Sequence, residues 1–110
     1  MAKRPKPNKR QTLFEKPKYK YLGKIVRFDT PERALESTKK LETEFINAKT
    51  DEKRLRIARA SQYASNRATA SGKRRNLSRK EKSEYRTIAR YYENTANMLF
   101  KEYNSLKKKR

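Results

Sequence analysis

The chain has 110 residues, 33% hydrophobic and 40% charged, and its 32 Lys and Arg against 12 Asp and Glu leave a net charge of +20. That length suits one small domain with an economical core, and seven Tyr and four Phe favour packed structure over a disordered basic tail. The absence of Cys and His excludes disulfides and thiolate metal sites, and removes the commonest general base and zinc ligand.

Residues 1–20 contain Pro5, Pro7 and Pro17 among eight cations. Proline and self-repulsion favour an extended arm there over a helix. No apolar signal core follows the basic start at Met1 to Lys6, and no apolar run nears the roughly 18 residues that span a bilayer. A cytoplasmic protein without a membrane partner is the expectation. Residues 21–29 turn apolar, with Tyr21, Leu22, Ile25, Val26 and Phe28 between Lys24 and Arg27. No second strand candidate exists to pair with them, so an extended segment strapped across a helical core is expected.

Three helices are predicted next. Thr30-Pro31 supplies a capping hydroxyl and a proline suited to the first helical position, with Glu32 at the positive end of the dipole. Ala34, Leu35, Thr38, Leu41, Phe45, Ile46 and Ala48 recur at helical spacing, which predicts a helix over about 31–49. Thr50-Asp51-Glu52 starts a second, over about 51–71, whose apolar face carries Ile57, Ala60, Ala64 and Ala68. Ser78-Arg79-Lys80-Glu81 matches a capping box and opens a third, over about 79–106, with Tyr85, Ile88, Ala89, Tyr92, Ala96, Leu99, Tyr103 and Leu106 on one side. The short connection near Thr50 favours antiparallel neighbours. The expected fold is therefore all-α: a three-helix bundle over residues 30–106, an extended N-terminal arm, and a basic tail at 107–110.

Charge is unevenly distributed along this layout. Residues 53–80 carry ten cations and no acid, whereas residues 29–52 carry seven acids and four cations. Concentrated positive charge repels itself, and becomes favourable when a polyanion supplies the opposite sign and sheds its condensed counterions. On the second helix, Arg56, Arg59, Tyr63, Asn66 and Arg67 form a stripe at spacings of three and four, with Arg54 close by. Arginine forks match phosphate oxygens, Asn and Tyr can donate to phosphate or sugar, and Tyr63 could stack on an unpaired base. A solvated helix face usually mixes signs; this one has no acid after Glu52. The loop with Lys73, Arg74 and Arg75 runs into Ser78, Arg79 and Lys80, where backbone N–H groups at a helix start attract phosphate. Lys82, Arg86 and Arg90 extend the same surface, although Glu81, Glu84 and Glu93 beside them suggest ordinary surface pairs. In the arm, Lys3, Arg4, Lys6, Lys9, Arg10, Lys18 and Lys20 are further candidate contacts, with Tyr19 and Tyr21 as stacking candidates.

The first predicted helix, with Glu32, Glu36, Glu42 and Glu44, should face away from phosphate and is a candidate for docking a basic neighbour. Helix-surface glutamates at these spacings do not make a catalytic pair. Gly23 and Gly72 sit in no nucleotide-binding fingerprint. No catalytic residue, metal, cofactor or small-molecule substrate is expected, and an enzyme ranks last.

A basic helical core with Pro- and Lys-rich extensions at both ends, no cysteine and no catalytic set resembles a small ribosomal protein, and the heavy use of Lys, Arg, Glu and Tyr suggests an archaeal one. The resemblance covers the whole chain and rests on composition and layout. It implies a structural component of a ribonucleoprotein particle, bound to rRNA by phosphate neutralisation and shape, with neighbouring ribosomal proteins met through the first helix. The alternative is a protein that binds double-stranded DNA without sequence specificity, of chromatin or nucleocapsid type. A third reading is a module whose basic face meets an acidic protein.

Overall fold

The computed structural model describes Lys16 and residues 19–108. Among these, four helices follow one another: α1 (Lys20–Ile25), α2 (Pro31–Asn47), α3 (Asp51–Ser71) and α4 (Arg79–Lys108). The all-α class is as expected, but the described residues form four helices rather than three. The correction falls at residues 21–29. Tyr19, Leu22 and Val26 are all buried, and their spacing of three and four residues is the period of a helix. Only from Val26 does the backbone become extended. Residues 1–15, 17–18 and 109–110, the rest of the arm and the last two of the basic tail, lie outside the described residues; Lys107 and Lys108 are helical.

The three long helices start as their caps dictate. Thr30 Oγ1 accepts from Arg33 N–H at 3.1 Å, and Thr50 Oγ1 accepts from Lys53 N–H at 3.1 Å. At the head of α4, Ser78 Oγ accepts from Glu81 N–H at 3.1 Å, while the Glu81 carboxylate accepts from Ser78 N–H at 2.8 Å. Both halves of the capping box are therefore made.

Packing centres on the antiparallel pair α3 and α4, with α2 lying against both and α1 resting on α2 and α3. The face of α3 turned to its neighbours is built of Ile57, Ala58, Ala60, Ser61, Ala64, Ser65 and Ala68. Small side chains permit the backbones to approach closely, and Ser61 Oγ can donate to the Tyr92 carbonyl of α4 at 2.8 Å. Tyr92 is fully buried. Its hydroxyl donates to the Arg27 carbonyl at 2.7 Å and accepts from Arg27 N–H at 3.0 Å. Ser37 Oγ of α2 joins the same point, donating to the Ile25 carbonyl at 2.7 Å. These bonds satisfy the backbone of the extended segment after α1, which would otherwise be stranded away from a sheet. The Phe28 ring then lies 5.8 Å from the Tyr92 ring. Burial of the phenol raises the Tyr92 pKa; the hydrogen bonds from Ser37 and the Arg27 backbone oppose that shift.

At the far end, Phe45 and Ile46 of α2 and Met98, Leu99 and Leu106 of α4 leave an apolar groove of about 520 Å³, edged by Glu42 and Glu102. Among the described residues, no helix is long and apolar enough to cross a membrane.

Candidate nucleic-acid interface

Helix α3 turns its buried residues one way, so periodicity sends the stripe the other way. Arg59, Asn66 and Arg67 are exposed; Arg56 and Tyr63 are half-buried at its edge. One of the arginines is held by what lies beneath it. The Arg67 guanidinium sits over the Phe28 ring, 5.5 Å from its centroid, which orients the fork. Arg56 lines a cleft with Tyr19, Glu52, Leu55 and Arg59, and its Nε is buried without a hydrogen-bond partner. Gln62 and Asn66 are joined by a side-chain hydrogen bond of 3.1 Å along the same face.

Arg54 is not part of this face. It lies two residues, or about 200°, round the helix from Arg56. Its guanidinium bonds Asp51 Oδ1 at 3.0 Å and the Ala48 carbonyl at 2.9 Å, tying the α2–α3 corner together. Lys53 is also occupied, its ammonium 5.6 Å from the centroid of the Tyr21 ring. Burial, with Glu44 nearby, raises the Tyr21 pKa, against a lowering by Arg56.

Beyond α3, Lys73, Arg74 and Arg75 are exposed, as are Arg79 and Lys80 in the first turn of α4. Ser78, a sequence candidate for phosphate contact, is exposed at the α4 N-terminus. Ser78 is engaged in the capping box, and the Glu81 carboxylate already serves the positive end of the helix. Glu81 and Glu84 also line a small cleft with Asp29, Phe28, Tyr85 and Ile88. The Asp29 carboxyl is held below its usual pKa, first by a hydrogen bond from its own backbone N–H and also by Arg27, with desolvation acting the other way.

On another side of α4, Lys82 and Arg86 come together with Lys73 around a second cleft that also includes Thr69 and Gly72. Arg90 is exposed one turn further along. The surface pairs expected between these cations and Glu81, Glu84 or Glu93 do not form: the ion pairs among the described residues join Arg27 and Arg33 to Asp29, and Arg54 to Asp51. Thr69 was not a sequence candidate, because it lies two residues, or about 200°, round α3 from Arg67 and so off the stripe.

Of the arm cations, Lys20 is described and is exposed at the start of α1. Lys3, Arg4, Lys6, Lys9, Arg10 and Lys18 lie outside the described residues. Tyr19 is 9% exposed and belongs to the core, so it cannot act as a stacking platform, while Tyr21 is 37% exposed.

Among the described residues, no group of acids could hold a metal ion. No protein family, curated protein or solved structure matches this chain.

Proposed function

We propose that this protein is an RNA-binding structural component of a ribonucleoprotein particle, most simply a ribosomal protein on rRNA. The observation that carries the reading is the outward side of α3, where Arg56, Arg59 and Arg67 lie together on a helix with no acid after Glu52. Such a face suits phosphate neutralisation with shape-based docking. Arg67 held over Phe28 supports it further, because a pre-oriented fork loses less freedom on binding phosphate. The arm and tail cations add reach around RNA. No residue takes a catalytic role.

Neighbouring proteins of the particle would meet α2, where Glu32 and Glu36 are exposed. There the apolar groove edged by Glu42 and Glu102 leaves Ile46 77% exposed.

The test is what the protein accompanies in its own cell. It should sediment with ribosomal particles and remain through a moderate salt wash. In vitro it should prefer structured RNA to duplex DNA of equal length at matched salt. Recovery with chromatin and equal affinity for duplex DNA would replace the reading with the DNA-binding alternative. Recovery in the free-protein fraction alone would remove both.

A further inference from the structure

The cleft between the end of α3 and the first turns of α4 has a volume of about 260 Å³. Lys73 enters it from the loop, and Lys82 and Arg86 from α4, over a floor that includes the buried Ala68 and Ala89. No acid lines it, and Glu93 lies two helical turns beyond Arg86. All three cations are exposed, and none makes an ion pair among the described residues.

Three like charges drawn to one concavity repel one another, an arrangement that an anion between them would reverse. The chemistry of the set is specific. Arg86 offers a planar fork, Lys73 and Lys82 offer compact charges, and the Thr69 hydroxyl offers a neutral donor. Gly72 makes the convergence possible. A Cβ added there would lie 3.1 Å from Tyr85 Cβ, so a side chain would make the neighbour give by a few tenths of an ångström. Lys73 is held close to α4 by a residue that has no side chain to obstruct it.

We infer that this cleft is a discrete phosphate site, and that it seats one backbone phosphodiester of the bound RNA. The inference rests on the RNA-binding reading for the identity of the ligand, and on the cleft's own geometry for the site. The α3 face would then supply contacts spread along the backbone, and the cleft a fixed point that sets their register.

The experiment is a backbone-amide NMR titration of the full chain with inorganic phosphate replacing chloride at constant ionic strength. Saturable shifts are expected at Thr69, Gly72 and Lys73. The double variant Lys82→Gln/Arg86→Gln should lose at least about tenfold in phosphate affinity, with helicity unchanged because both side chains are exposed. Lys39→Gln/Lys40→Gln, which removes the same charge from exposed positions on α2, should leave the phosphate affinity as it was. Shifts that grow linearly over the whole basic surface, or saturation that survives the cleft double variant, would overturn the site. A structured RNA is titrated in parallel. RNA that binds without moving the cleft amides sinks the site and leaves the RNA reading intact. Saturable phosphate binding with no RNA affinity removes the RNA reading, and with it the role assigned to the cleft.

Discussion

Two clefts open along the first turns of α4, one against the end of α3 and one against the segment at Phe28 and Asp29, and they carry opposite charge. One gathers Lys73, Lys82 and Arg86; the other gathers Asp29, Glu81 and Glu84. Both draw on the first three turns of the same helix, where acids and bases are interleaved in sequence. Helical geometry separates what the sequence mixes: residues 82 and 86 fall on one side of α4, residues 81 and 84 on another. The acids also have local work, since Glu81 closes the capping box and Asp29 pairs with Arg27 and Arg33. The cations opposite have no such ion pairs among the described residues. Among the described residues, charge at this end of α4 is thus sorted by side.

That contrast depends on how α3 is set against α4, so the largest expected effect comes from forcing them apart. Ala64 is fully buried on α3. Ala64→Leu should cost about 1–3 kcal/mol by over-packing and lower Tm by several degrees, about 4–8 °C per kcal/mol. An unchanged Tm would mean that the small-residue face has room to spare and does not fix the spacing. Tyr92→Phe should cost about 1–2 kcal/mol by stripping the hydroxyl from the Arg27 backbone, and so loosen the segment that carries Asp29.

The Tyr92 phenol has a raised pKa in the fold because it is buried. Its neutral form is therefore favoured by folding, and its contribution is complete below the ordinary tyrosine value of about 10. It fades as pH rises through the raised value. Alkaline titration of stability should show a loss above pH ~10 that is weaker in Tyr92→Phe; identical alkaline curves would remove Tyr92 as its source. The smallest expected effect is at the acidic cleft. Glu81→Gln should cost about 0.3–1 kcal/mol through the helix dipole and raise RNA affinity slightly at fixed salt. Weaker RNA binding by that variant would show that the acidic cleft is not a side turned away from RNA.

Much of this was legible in the chain because caps and apolar spacing act locally. Thr30-Pro31, Thr50-Asp51-Glu52 and the Ser78–Glu81 box each mark the head of a helix, and α3 runs over Asp51–Ser71 as its apolar period requires. The stripe was legible for the same reason. Residues 19–26 were harder to read, since an apolar run interleaved with lysines suits a strand and a short helix equally; burial of Tyr19, Leu22 and Val26 decides for the helix. Arg54 lies off the stripe because the helix turns it about 200° from Arg56, and the Ala48 carbonyl that captures its guanidinium is not visible in the spacing. The basic cleft was scattered over residues 69–86, and only the close approach at Gly72 gathers it.

Position, and not total charge, is what governs binding to nucleic acid if α3 is the binding face. Two double variants of equal charge test this: Arg59→Gln/Arg67→Gln on α3 and Lys39→Gln/Lys40→Gln on α2 each remove two charges from the net +20, and all four side chains are exposed. The measurement is the salt dependence of affinity for one structured RNA. The α3 variant should lower the slope of log K against log salt by about 1.4–1.8, at roughly 0.7–0.9 for each phosphate it no longer neutralises, while the α2 variant keeps the wild-type slope. Equal slopes in the two variants would contradict the assignment of α3 as the RNA-binding face.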